Sequence, residues 1–322
     1  MSLLEIKNLN MGFNFEAGYF PVLFDVSLKV DKQKTLAIVG ESGSGKTMTA
    51  MSVLRLLPQN AVITSGDIIF NGQNLLKLKQ NDMTKIRGKE IALIPQDPMC
   101  SLNPLYTIGN QLLEVINLHQ NIKGKEAFDL AVESLEKVRI PNARKRMDSY
   151  AHELSGGMKQ RVIIAMALAT NAKLIIADEP TTALDVTVQA QIMKLLNEIK
   201  TNYETCVILI THDLGLVAEN ADDTAVMYCG RIVEYSDTSS IFDNPVHPYT
   251  KALLKALPDI NKNKLEAIKG QPPSIFDKIS GCKFNPRCNF KQDLCLKDVP
   301  VLKNYSENKL VACFYPDKSK NQ

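Results

Sequence analysis

Eight consecutive residues, Gly40-Glu-Ser-Gly-Ser-Gly-Lys46-Thr47, have the spacing G-x-x-x-x-G-K-[ST], a pattern suited to holding phosphate. Gly40, Gly43 and Gly45, with Ser42 and Ser44 between them, let the backbone curl until its N–H groups face phosphate oxygens. Lys46 is a point charge for the β- and γ-phosphates of a nucleoside triphosphate, and Thr47 offers a hydroxyl to Mg²⁺. A helix is predicted to follow, turning its positive dipole end to the same anion. A second run, Lys173-Leu-Ile-Ile-Ala-Asp178-Glu179-Pro180, is an apolar stretch ending in two acids. Such a strand end delivers carboxylate to a Mg²⁺–nucleotide site. Asp178 is expected at the metal, through water, and Glu179 as the general base that polarises attacking water. Taken alone, the pair also suits the surface end of any strand. A third run, Leu154-Ser-Gly-Gly-Met158, places Ser155, Gly156 and Gly157 at the start of a predicted helix.

Four cysteines make a further cluster, Cys282-x5-Cys288-x6-Cys295-x17-Cys313. Four thiolates can hold Zn²⁺ or an iron–sulfur cluster. The spacing has no CxxC pair and does not match the ferredoxin pattern, and the nearest histidine is His247. From spacing alone a metal centre, loosely buried free thiols and disulfides all remain open. Cys206 and Cys229 fall in predicted strands, where they are read as small hydrophobes. Cys100 falls in a loop and is assigned no role.

These residues need elements to position them. Leu3 to Val30 reads as short strands. Lys34 to Val39 is a compact apolar run that reads as a buried strand leading into Gly40. Met48 to Leu57 is helical in pattern and stopped by Pro58. Ile68-Ile-Phe70 is a strand, and Asn71-Gly72 is a hairpin turn. Residues from about 101 to 150 are mostly helical, with a further helix from Ser155 to about Thr170. Buried strands are expected at Lys173–Ala177 and Thr205–Thr211, with a helix over Val186–Tyr203 between them. Ala225 to Tyr235 reads as a hairpin turning at Gly230-Arg231. Alternating strands and helices imply a mainly parallel sheet covered by helices. From about Ser236 prolines and lysines increase, and a domain boundary is placed there.

Composition limits the function classes. The chain has 322 residues, 45% apolar, with 38 basic and 35 acidic residues and a net charge of +3. A sizeable core is therefore available, and the basic stripe of a dedicated nucleic-acid binder is not expected. Met1 to Asn10 lacks the apolar core of a signal peptide. The longest apolar stretch, Val162 to Ala169, is far shorter than the ~18 residues of a membrane span. A soluble, cytoplasmic protein is expected, reaching a membrane only through another subunit.

In their order along the chain, the three runs resemble the signature of the ATP-binding cassette ATPases. The resemblance implies an α/β fold over residues 1–235: an ABC-type P-loop nucleotide-binding domain with a mainly parallel sheet core, an antiparallel β subdomain and a helical subdomain at about 101–160. Residues 236–322 are then a small cysteine-containing C-terminal extension. ATP and Mg²⁺ are implied as ligands. Ser155 and Gly157 of one subunit would contact the γ-phosphate held by another, Gly156 lying between them in the same signature. Met158 stands where the commonest family form has Gln, as it often does in the peptide-importer branch. Gln96, in Ile94-Pro-Gln-Asp97, resembles the glutamine loop that senses Mg²⁺ or its water and couples to membrane subunits. Ala183-Leu-Asp185 resembles the loop that crosses the dimer interface, and His212 the switch histidine at the γ-phosphate. Phe13 occupies the place of the aromatic ring that stacks on adenine, with Phe15, Tyr19 and Phe20 as competitors.

Asn244-Pro-Val-His-Pro-Tyr-Thr250, followed by Lys251-Ala-Leu-Leu-Lys-Ala-Leu-Pro258, resembles the tail of oligopeptide and dipeptide importer ATPases, as does Gln96-Asp-Pro-Met-Cys-Ser-Leu-Asn-Pro104. Several members of that branch hold a 4Fe–4S cluster in a cysteine motif similar to Gly281-Cys-x5-Cys-x6-Cys with a later Cys. The resemblance therefore favours such a cluster on Cys282, Cys288, Cys295 and Cys313, with Zn²⁺ as the alternative. The function implied is an ATPase subunit that energises peptide import from the cytoplasmic side of the cell membrane. Its partners would be a second, related cassette in a heterodimer, two transmembrane permease subunits and, indirectly, an extracellular or periplasmic solute-binding protein. Alternatives are the same role for nickel, metal complexes or opine-like solutes, and a soluble cassette ATPase of translation or DNA repair. Against the last, one cassette is present, and no long coiled coil separates Lys46 from Ser155.

Overall fold

The structure is a computed structural model that describes residues 2–257 and 268–316. Pro258, the last residue of the expected tail motif, lies outside the described residues. In chain order the elements begin with strands β1 (Ser2–Phe15), β2 (Gly18–Asp31) and β3 (Thr35–Val39), helix α1 (Lys46–Leu54), strands β4 (Ala61–Phe70) and β5 (Gln73–Asn74) and helix α2 (Gln80–Ile86). Strand β6 (Ile91–Ile94) precedes a helical stretch, α3 (Pro98–Ser101), α4 (Ile108–Gln120), α5 (Gly124–Lys137), α6 (Ala143–Arg146) and α7 (Gly156–Ala169). Then come β7 (Leu174–Asp178), α8 (Val186–Asn202), β8 (Cys206–Thr211), α9 (Leu214–Asn220), β9 (Asp223–Tyr228) and β10 (Arg231–Asp237). The chain closes with α10 (Thr238–Asp243), α11 (Pro248–Lys255), α12 (Asp293–Lys297), β11 (Lys303–Ser306) and β12 (Lys309–Val311).

The chain divides into two compact units. The first holds Asp31–Lys34 and Lys77–Ile210. Its strands run parallel in the order β8-β7-β6, with Leu174 paired to both Ile91 and Cys206. Every residue of β7 is buried, as expected of a parallel strand covered on both faces. Helix α7 packs against α3, α4, α5 and β6. Its apolar run Val162–Ala169 is therefore a core helix rather than an amphipathic surface one.

The second unit holds Ser2–Val30, Thr35–Leu76 and the described residues from Thr211 on. It contains an antiparallel sheet, β2-β1-β4-β5, and a strand run β11-β12-β10-β9-β3 in which β3 and β9 are parallel. The Asn71-Gly72 turn forms as the sequence predicts, with φ of 47° and 80°. The N-terminal strands are longer than predicted, fourteen residues each. The polar residues that interrupt the alternation, Asn8 and Asp25, take positive φ inside the sheet at 46° and 50°. The Asn10 side chain bridges Asp25 and Ser65 there, so the chain kinks without ending the strand.

The second hairpin turns one residue earlier than predicted. Cys229 and Gly230 occupy the turn with φ of 44° and 77°, and Arg231 already belongs to β10. A Cβ on Gly230 would collide with the Val22 carbonyl, which fixes glycine at the second turn position and leaves Cys229 the first. Cys229 is thus a turn residue and not a strand hydrophobe. The expected boundary near Ser236 falls within β10. There the fully buried Glu234 carboxylate accepts the Val246 and His247 N–H groups and lies 3.5 Å from Lys309 Nζ. No helix among the described residues is long and apolar enough to cross a membrane.

Candidate functional site

In the second unit, the fully buried β3 feeds Gly40–Thr47 directly into α1. A Cβ on Gly40 would strike the Met227 carbonyl, so the first glycine of the motif is fixed by close packing. Gly45 sits at the N-cap of α1 in a left-handed conformation with no side-chain cap, at the positive end of the helix dipole. Lys46 is buried, and its Nζ donates to the carbonyls of Gly40 (2.8 Å) and Glu41 (3.1 Å). The Ser44 hydroxyl is buried without a hydrogen-bond partner. An orphaned hydroxyl in the same loop as a buried lysine is what a phosphate oxygen would satisfy. Ser42, Gly43 and the half-buried Thr47 complete the loop.

Another part of this unit braces the loop. Glu41 donates its N–H to the Tyr249 hydroxyl at 2.9 Å. Its carboxylate accepts both Nη atoms of Arg287, at 2.6 and 3.0 Å. His212 is exposed in a turn after β8, where Asp213 caps α9 by accepting the Gly215 and Leu216 N–H groups. Phe13, the sequence choice for adenine, lies 5.9 Å from Phe15, which is 5.7 Å from Phe20. Phe276 from the C-terminal segment joins them, 5.0 Å from Phe20 and 6.2 Å from Phe15. Phe13 and two of its competitors are thus neighbours on one aromatic surface, and Phe276 is a member that motif spacing did not identify.

In the first unit, β7 ends on the buried Asp178. Glu179 then takes a left-handed backbone, φ 47°, and its N–H donates to the Ile210 carbonyl. Its Oε2 accepts hydrogen bonds from Gln96 Nε2 (3.0 Å) and Thr182 Oγ1 (2.9 Å). A non-glycine residue held at positive φ stores local strain, of a kind that gathers at functional positions. The structure thus brings Gln96 and Glu179 together, and adds Thr182. Gln189 Nε2 pins the following loop through the carbonyls of Thr181 and Leu184, and Asp185 caps α8 at Val188 N.

Ser155 is the N-cap of α7, its hydroxyl accepting the Met158 N–H at 3.3 Å, and Gly156 and Gly157 open the helix. A Cβ on Gly157 would sit 2.7 Å from Val188 Cγ1 on α8. Val188 is β-branched and stiff, so the helix end must move instead. Gly157→Ala is therefore expected to cut ATP turnover at least about ten-fold while ATP affinity stays within about two-fold, because the phosphate loop is untouched. Steady-state phosphate release and equilibrium binding check this, and unchanged turnover would contradict it.

Cys282, Cys288, Cys295 and Cys313 all line one small enclosed cavity of about 20 Å³, walled also by His247, Phe284 and Phe290. Burial pushes the thiols of Cys282 and Cys313 up to about 11 and about 12 and raises that of Cys288, which favours the protonated form of these three. Burial also lowers His247 to about 3, and its Nδ1 accepts the Tyr249 N–H. Among the described residues no group of three or more His, Cys, Asp or Glu side chains is disposed to hold a single metal ion. Cys206 is buried in β8, with Sγ donating to the Asp31 carbonyl.

Sequence reasoning missed Arg287, Tyr249 and Thr182. In the sequence His247-Pro-Tyr249 marks only the branch, and Arg287 carries no local pattern. Thr182, three residues after Glu179, had the only detectable signal, as a hydroxyl one turn from a predicted base.

A family model described as "ABC transporter" matches residues 23–182, and one described as "Oligopeptide/dipeptide transporter, C-terminal region" matches residues 233–295. The chain is 47% identical over 317 residues to the oligopeptide transport ATP-binding protein OppD of Escherichia coli, covering 98% of this chain and 94% of that protein. It is 47% identical to OppD of Haemophilus influenzae, covering 97% of each. Among solved structures, a dimeric post-hydrolysis state of the ATP-binding cassette MJ0796 bound to ADP and Pi is similar, with TM-score 0.65 and 26% identity over 73% of this chain and 98% of that one.

Proposed function

The chain belongs to the ABC transporter family, and we propose that it is the ATP-hydrolysing subunit of an importer for oligopeptides or dipeptides. One observation carries the reading: Lys46 and the Gly40–Thr47 loop, and Glu179 held by Gln96 and Thr182, occur in a chain whose similarity to an oligopeptide transport ATP-binding protein runs almost end to end.

Lys46 and the N–H groups of Gly40–Thr47 hold the β- and γ-phosphates, and Ser44 satisfies its hydroxyl on a phosphate oxygen. Glu179, aimed by Gln96 and Thr182, polarises the water that attacks the γ-phosphoryl group, and ADP leaves. His212 contacts the γ-phosphate. Thr47, Gln96 and Asp178 would hold Mg²⁺, which when bound neutralises charge on the β- and γ-oxygens. The ring of Phe13, in its cluster with Phe15, Phe20 and Phe276, stacks on adenine. Ser155, Gly156 and Gly157 serve the nucleotide of a second cassette, whose own signature serves this one. That second cassette is a related, different subunit. ATP favours the closed pair by its additional contacts there, and closure is relayed to two permease subunits. Met99, Leu105 and Tyr106, 57%, 80% and 54% exposed, follow Gln96 and supply an apolar surface suited to a permease contact. The chain thus works as a peripheral subunit at the cytoplasmic face of the membrane, beneath a solute-binding protein on the other side.

Cells carrying Glu179→Gln in place of the wild-type chain test the reading. Labelled tetrapeptide uptake is expected to be lost with nickel uptake unaffected. Intact peptide uptake with lost nickel uptake would assign the subunit to metal import, and both intact would end the importer reading.

In the extension, assigned to residues 236–322, Cys282, Cys288, Cys295 and Cys313 would hold a 4Fe–4S cluster. Their convergence on one enclosed, aromatic-walled cavity supports this. The cavity is only about water-sized, so loading must move the side chains outward and deprotonate them. Anaerobically purified protein is expected to be brown with about four iron and about four sulfide per chain, and Cys295→Ser to lose both. Colourless protein with stoichiometric zinc would overturn the assignment.

A further inference from the structure

Glu41 is the second residue of the phosphate loop, and Arg287 lies 246 positions further along the chain. Their two charge-assisted hydrogen bonds form the parallel fork that fixes a carboxylate in orientation as well as position. The Arg287 side chain is only 4% exposed. Its remaining N–H groups are also engaged: Nε donates to the Lys269 carbonyl, Nη2 to the Gly270 carbonyl, and Nη1 approaches the Tyr228 hydroxyl at 3.4 Å. The guanidinium thus has little freedom to swing away from Glu41.

The element that carries Arg287 is itself held. It lies in the turn between Cys282 and Cys288, where Asn285 accepts no slack: its N–H donates to the Cys282 carbonyl and its Nδ2 to the carbonyls of Ser280 and Cys295. Phe284 in the same turn packs edge-on against Tyr228 and Tyr249 at 5.2 and 5.4 Å, and these two tyrosines lie 4.6 Å apart. Tyr249, fully buried, carries the hydroxyl that accepts the Glu41 N–H. Backbone and side chain of Glu41 are therefore gripped separately, by Tyr249 of this aromatic cluster and by Arg287, whose guanidinium lies 5.8 Å from the Tyr228 ring.

The Glu41 carbonyl also accepts from Lys46 Nζ. Whatever fixes Glu41 fixes the lysine's resting position and the start of the curl that presents N–H groups to phosphate. We propose that Arg287 is a positioning residue for ATP binding: through Glu41, with Tyr249 at the backbone, it holds the phosphate loop preorganised, so that the C-terminal segment forms part of its own chain's nucleotide site. The inference rests on the reading of Gly40–Thr47 as the ATP loop. It differs from that reading in making affinity depend on a residue that touches no nucleotide. A loop ordered before binding loses less freedom on binding, so loosening it weakens affinity and KM more than the chemical step.

The test uses the full-length chain and measures ATP Kd, KM, kcat and thermal midpoint for Arg287→Ala, Arg287→Lys, Glu41→Ala and the Arg287→Ala/Glu41→Ala double variant, with Lys46→Ala as control. Arg287→Ala and Glu41→Ala are each expected to raise Kd and KM about ten-fold with kcat within about two-fold. The double variant should be no worse than either single one, and Arg287→Lys should recover part of the affinity. A lowered thermal midpoint with wild-type Kd and KM would show a merely structural contact and overturn the proposal, as would additive effects in the double variant. If Arg287→Ala does not fold, Glu41→Ala decides: its C-terminal segment is intact, and wild-type affinity there overturns the proposal. Loss of binding in Lys46→Ala alone would leave the ATP reading standing and this inference refuted. Wild-type protein that binds no ATP would refute the reading itself.

Discussion

Glu179→Gln is expected to lower ATP turnover about a thousand-fold while leaving ATP affinity within about two-fold. The amide keeps the volume and the acceptor that Gln96 and Thr182 hold at 3.0 and 2.9 Å, so the loop geometry is preserved. What is lost is the negative charge that, in the proposed function, polarises the attacking water. The left-handed backbone at Glu179 is unchanged by the substitution, because Gln has the same steric demand there. ATP binding without hydrolysis should leave the closed cassette pair as the resting state, visible as an ATP-dependent increase in sedimentation. Phosphate release under single-turnover conditions, beside equilibrium ATP binding, separates the two effects. Wild-type hydrolysis by the variant would show that another group is the base.

Lys46→Ala acts on the other half of the chemistry and is expected to raise the ATP Kd at least about a hundred-fold. The lysine is buried and donates to two loop carbonyls before nucleotide arrives. Its removal takes away the only positive side chain of the loop and the Nζ donor to the Gly40 carbonyl, while the Glu41 carbonyl keeps the Ser44 N–H. Affinity therefore falls both from the lost phosphate contact and from a looser loop. The thermal midpoint should fall modestly, and isothermal titration with Mg²⁺-ATP gives the affinity directly. A Kd near the wild-type value would remove Lys46 from the phosphate site.

The parts of the fold and site that were legible in the sequence are those written in consecutive residues. Gly40–Thr47 stands out by residue type at fixed spacing, whereas Asp178-Glu179 and Ser155–Gly157 gain their meaning from their order after it. The apolar runs around them predict β3, β7 and β8 to within a residue or two. The parts that stayed hidden depend on distant pairing or on backbone conformation. Asn8 and Asp25 look like strand ends because their polarity breaks the alternation, yet they sit at kinks inside long strands. Cys229 looks like a strand residue because it is apolar, and only the collision facing Gly230 shows that the turn begins there. Arg287 is one basic residue among many until the fold sets it against Glu41. The strain at Glu179 has no signature in the sequence at all, since its cause is the Ile210 carbonyl on another strand and the two side chains that hold its carboxylate.

The proposed function carries one requirement: the loop Gly40–Thr47 of one cassette works with the Ser155–Gly157 signature of another. ATP turnover per cassette, measured for the full-length chain across a dilution series, tests that requirement most directly. The account predicts turnover that falls on dilution, as pairs separate, and recovers on reconcentration. Turnover per cassette that is independent of concentration down to fully separated chains would show that one chain hydrolyses ATP alone, and would contradict it.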